Sequence, residues 1–137
     1  MRQQVVMLIL LVALASPSIA VSSSSGQPGG PPQQFYVKLD PALVVNIEDG
    51  DIVRFLQVDT QLQFAAQESQ PLIEKHLPAI RHEMVMLLSG QPAAEIKTAA
   101  GKEKLRSNAL EAVQKVMQEN TGNPVVDALY FTTFVIQ

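Results

Sequence analysis

The side chains in this sequence that could carry chemistry are few and scattered. His76 and His82 are its two imidazoles. Six residues apart on a helical segment, they are rotated by about 600° from one another, so they do not share a face as i, i+4 metal ligands do. No acid is spaced to complete a compact metal site with them, and Arg81 and Glu83 beside His82 read as a solvated polar face. Asp49 and Asp51 make a carboxylate pair, but they flank Gly50, where a hairpin turn wants the same residue types. Ser22 to Ser25 have neither a glycine elbow nor a histidine within reach. Gly29-Gly30 precedes prolines rather than a helix N-terminus, so it makes no phosphate loop. No catalytic residue, cofactor site or metal site can be assembled from these pieces, which leaves binding or structure as the role.

One stretch suggests binding. Met84, Val85, Met86, Leu87 and Leu88 are apolar nearly all round a helix. Such a run is either a buried helix end or a surface for self-association or a partner, because methionine-rich faces adapt to what they meet.

Composition narrows the classes further. Thirteen acids against ten bases give a net charge of −3. Loss of the first twenty residues would remove Arg2 and leave 13 against 9, or −4. Phosphate neutralisation needs clustered positive charge, and the aromatics (five Phe, two Tyr, no Trp) are too few for base stacking, so nucleic acid is not expected as a partner. The chain has no cysteine, which excludes disulfides, thiolate zinc sites, a thiol nucleophile and a lipoprotein anchor.

The elements that must position any binding surface follow from the pattern. Residues 1–20 combine Arg2, an eleven-residue apolar run from Val5 to Ala15, and small residues before Ala20. This is a secretory signal pattern. Stretched to Val21 the run reaches seventeen residues, short of the roughly 20 that span a bilayer, so the segment is a cleaved signal or a short membrane anchor. In either case the remainder lies across the membrane. Residues 21–34 (VSSSSGQPGGPPQQ) form a solvated linker, and residues 35–137 form one domain.

Within that domain, Phe35 to Leu39 and Leu43 to Ile47 read as strand, interrupted at Asp40-Pro41 because proline cannot donate to a ladder. After the turn, Leu56, Val58, Leu62 and Phe64 alternate with Gln57, Asp59, Gln61 and Gln63, which predicts an antiparallel strand with one wet face. Ile73, Leu77, Ile80, Met84 and Leu87 then form one stripe of a helix over about Pro71 to Leu88, with a kink or break expected at Pro78. A loop from Gln91 to Lys97 leads to a second helix capped by Thr98, buried along Leu105, Ala109, Ala112 or Val113, and Val116, and ended by Gly122. Leu129 to Ile136 is apolar on both faces, which predicts a C-terminal strand central in its sheet. The fold class is therefore α+β: a small antiparallel sheet with two helices packed on one face.

The ordered set of residues resembles a known family. Tyr36-Val37-Lys38-Leu39-Asp40-Pro41 with Val44-Val45-Asn46, Arg54 to Val58, Glu74 to His82, Leu87-Leu88-Ser89, Gly101, Leu105, Val113, Val116 and Phe131 to Gln137 look like the FliL family of flagellar basal body-associated proteins. The resemblance implies a periplasmic domain similar in fold to the stomatin and prohibitin module, set beside the inner membrane. It implies flagellar stator proteins of the MotA/MotB type as partners, and a homo-oligomeric ring of the chain itself. A non-enzymatic role supporting rotation, swimming and swarming would follow. The alternative is a periplasmic binding or adaptor domain unrelated to motility.

Overall fold

A computed structural model describes residues 29–137. The signal-or-anchor expectation for residues 1–20 and the first part of the linker lie outside the described residues. Residues 29–34 carry no regular structure and are exposed.

Among the described residues, three strands and three helices follow in the order β1 (Phe35–Asp49), β2 (Ile52–Phe64), α1 (Gln70–Leu88), α2 (Ala93–Ile96), α3 (Ala99–Thr121) and β3 (Ala128–Ile136). A single turn of 3-10 helix, Gln67–Ser69, leads into α1. All pairings in the sheet are antiparallel, with the order β1-β2-β3. The period-two pattern of β2 is realised as expected: Leu56, Val58, Leu62 and Phe64 point into the core, while Gln57, Asp59 and Gln61 face outward. Ile73, Ile80, Met84 and Leu88 of α1, with Leu105, Ala109, Val113, Val116 and Met117 of α3, cover that same side of the sheet. The α+β architecture with helices on one face is thus observed.

The place of the C-terminal strand is corrected. β2 is central, and β3 is an edge strand. The apolar residues of β3 have two fates. Leu129, Phe131, Phe134 and Ile136 pack on the core, whereas Tyr130 and Val135 stand outward, each 41% exposed. Apolar character on both faces here marks an outer face that nothing among the described residues covers, not a strand flanked on both edges.

Three local expectations are also refined. β1 is not interrupted at Pro41; pairing shifts from Leu39↔Thr60 to Leu43↔Val58, so a bulge absorbs the proline in an edge strand that can spare its N–H. The Arg81 guanidinium of α1 donates to the Pro41 carbonyl at 2.6 Å and ties the helix to that bulge. α1 runs unbroken through Pro78, with the buried Ile73 and Ile80 holding the turns on either side. The expected loop over 91–97 contains α2, whose Ala93 and Ile96 are buried. Gly50 opens the two-residue hairpin loop with φ of 65°, and Asp51 keeps a negative φ, the pattern of a loop with glycine at its first central position. At the ends of α3, Thr98 Oγ1 accepts from the Gly101 N–H at 2.9 Å, and Gly122 adopts φ of 82°.

Candidate interaction site

The helix divides the Met84 to Leu88 stretch. Successive residues are turned by about 100°, so a five-residue run cannot lie on one side. Met84 and Leu88 are fully buried and Leu87 is partly buried; Val85 and Met86 reach the surface, 37% and 63% exposed. The surface expected from five residues therefore reduces to two, flanking a helix end anchored in the core. His82 is exposed and His76 half-buried. Among the described residues, no group of three or more His, Asp or Glu side chains converges at metal-ligand distance.

The larger exposed apolar area is the outer side of the sheet, away from the helices. Val44 pairs with Gln57, which pairs with Val135, while Phe55 opposes Asn46 one step along the same face. Val44 and Phe55 are 59% and 54% exposed, and Val53 lies beyond them towards the hairpin. At the opposite end of this face, Tyr36 and Tyr130 converge on Gln63: the Tyr130 hydroxyl donates to Gln63 Oε1 at 2.9 Å, with the Tyr36 hydroxyl at 3.5 Å. Between the two ends, Lys38 Nζ lies 3.4 Å from Asp59 Oδ1. A polar band thus separates the tyrosines from the aliphatic and Phe55 end. Sequence reasoning missed this surface, although the parity of β2 carries its signal. Val53 and Phe55 share the parity of Gln57, Asp59 and Gln61, the residues that mark the wet face.

Charge gathers around the other side of β3. Asp49 Oδ2 accepts from Arg54 Nε at 2.5 Å and lies 3.2 Å from Lys97 Nζ, so one carboxylate links the hairpin to the segment after α2. These bonds hold the Asp49 carboxyl below its ordinary pKa, Arg54 contributing most and Lys97 next. Turn chemistry predicts a turn role for Asp49; in the structure Asp51 occupies the turn, while Asp49 pairs with Ile52 and is an ion-pair hub. Arg106 forms a two-pronged pair with Glu103 (2.5 and 2.9 Å) and also donates to the Leu129 carbonyl at 3.2 Å. This pairing lowers the Glu103 pKa and raises that of Arg106. Between α3 and β3 lies an open groove of about 520 Å³, lined by Lys102, Glu103, Arg106, Tyr130, Phe131 and Phe134. It adjoins a second hollow shared by Arg54, Lys97, Lys102, Phe134 and Ile136.

Comparison with known proteins bears on the whole of this structure. Residues 36–137 match the family described as flagellar basal body-associated protein FliL. The chain is 31% identical over 100 residues to a flagellar protein FliL of Aquifex aeolicus (strain VF5), covering 73% of this chain and 60% of that protein. It is 25% identical over 122 residues to the flagellar protein FliL of Escherichia coli (strain K12), covering 89% of this chain and 77% of that protein. The same figures hold for the flagellar protein FliL of Shigella flexneri.

Proposed function

This chain belongs to the FliL family of flagellar basal body-associated proteins, and from that premise we propose that it is a non-enzymatic accessory of the flagellar motor. In this reading it associates with the stator and with copies of itself, and it supports rotation, swimming and swarming. The observation that carries the proposal is the extent of the match: residues 36–137 take in all of the folded unit but the first residue of β1, and run past the end of β3. The outer sheet face supports an assembling role, since Val44, Val53, Phe55 and Val135 form an apolar area that no helix among the described residues covers. Some charged groups hold the folded unit together: Asp49 joins Arg54 to Lys97, and Arg106 ties α3 to the Leu129 carbonyl of β3.

Attachment in this reading falls to residues 1–20, with the domain on the periplasmic side of the inner membrane. No helix among the described residues is long and apolar enough to cross a membrane. Deleting the gene and measuring expansion in soft agar and on hard agar tests the proposal. Reduced expansion on at least one is expected; unchanged swimming and swarming together would contradict it.

A further inference from the structure

We propose that the groove between α3 and the free edge of β3 receives an extended acidic segment of a partner protein, which adds to the sheet as a fourth strand. The edge itself is the first reason. Gln137 exchanges both backbone hydrogen bonds with Phe55, at 2.8 and 3.0 Å. In an antiparallel ladder such pairs alternate, so Val135 and Thr133 bond inward to β2 while the N–H and C=O of Ile136 and Phe134 point to the opposite edge. Among the described residues no strand lies there. An unpaired edge invites strand addition, which supplies main-chain hydrogen bonds regardless of sequence.

Charge then selects the guest. Four cations, Arg54, Lys97, Lys102 and Arg106, line the two adjoining hollows, against the acids Asp49 and Glu103. The local balance is +2 in a chain whose net charge is −3. Both acids are already paired. Lys102 instead rests over the Phe134 ring, 5.1 Å from its centroid, with no carboxylate partner among the described residues. Alternate side chains of an added strand would face α3, where carboxylates meet Lys102 and Arg106. The intervening side chains would face outward beside Tyr130 and Val135, where apolar groups fit. The guest is thus an extended segment alternating acidic and apolar residues. This inference goes beyond the motor reading and does not depend on it, since loss of motility and loss of peptide binding are read separately.

The test uses the full chain in detergent micelles and a fluorescein-labelled octapeptide of alternating valine and glutamate, followed by fluorescence anisotropy. Saturable binding is expected, weakened at least tenfold by Lys102→Glu, by lysine in place of glutamate in the peptide, or by N-methylation of the peptide's alternate amides. Lys102 is exposed, so its variants keep the circular dichroism spectrum of the parent, and Lys102→Gln provides a milder second variant with an intermediate loss. Equal binding of the lysine or N-methylated peptide would overturn the proposal. Absence of peptide binding would overturn it too. In that event, oligomers dispersed by Lys102→Glu would assign the groove to a second copy, and Lys102-dependent retention on anionic vesicles would assign it to lipid.

Discussion

A methyl group placed on Gly101 would lie 1.9 Å from the carbonyl oxygen of Glu95. The first turn of α3 passes so close to the end of α2 that only a hydrogen fits between them. The neighbour is backbone, fixed by the bond from the Thr98 N–H to the same Glu95 carbonyl at 3.1 Å, so it cannot swing aside as a side chain would. Alanine normally stabilises a helix interior by about 1 kcal/mol over glycine. Here the overlap wins: Gly101→Ala is expected to destabilise the fold by about 1–3 kcal/mol, the usual cost of forcing an extra carbon into a packed region. A urea titration followed by circular dichroism checks the sign. A raised midpoint would show that α2 and α3 are not in this contact.

Thr60 is a second site where burial and chemistry disagree. It points to the core from the centre of β2, fully buried, and its hydroxyl has no hydrogen-bond partner. Thr60→Val keeps the shape and removes the unsatisfied group, so it is expected to stabilise by about 1 kcal/mol. Thermal unfolding should shift upward by roughly 4–8 °C for a domain near this size. No gain, or a loss, would mean that the hydroxyl is satisfied.

Asp49 should give the fold a pH dependence. Its carboxyl is held below the ordinary value of 3.8 by Arg54 and then Lys97. A depressed folded pKa contributes stability that is fully present above 3.8 and is lost as pH falls through the folded value. Asp49→Asn should therefore be less stable than the parent at pH 7, and the two should converge as the pH drops below 3.8. Unfolding midpoints measured across that range check this; a gap that stays constant with pH would contradict the ion-pair hub.

How far this structure could be read from residue types varies with the element. Stripes and caps were legible, since Thr98, Gly122, Ile73, Ile80, Leu105, Ala109, Val113 and Val116 each obey a local rule that packing did not override. The second end of the α1 stripe slipped by one residue. Leu87 and Leu88 are both leucine, and only the neighbouring elements decide that Leu88 is the one enclosed. β3 sits at the edge of the sheet rather than at its centre for a related reason. Apolar residues on both faces report the wish to be covered, and they do not say whether the chain or a partner covers Tyr130 and Val135. Pro41 reads as a break because the bulge that accommodates it depends on pairing with Val58 and Thr60 of β2, beyond any local pattern. Asp49 shows the same limit: its partner Lys97 is 48 residues away, beyond any local pattern.

The outer sheet face yields a prediction about assembly. Val44 and Phe55 are exposed, so Val44→Glu with Phe55→Glu should leave the unfolding midpoint nearly unchanged. The same pair places carboxylates in the middle of the apolar area. Sedimentation velocity should show larger species for the parent and smaller ones for the double variant at equal concentration. Identical sedimentation would remove this face from self-association.

The most direct measurement of the role in motility is swarm expansion of a strain lacking the gene and carrying it back on a plasmid. The parent sequence should restore expansion, and the Val44→Glu, Phe55→Glu form should fail to do so at the same protein level. Full expansion by the strain without the gene, on soft and hard agar alike, would contradict a motor accessory role for this chain.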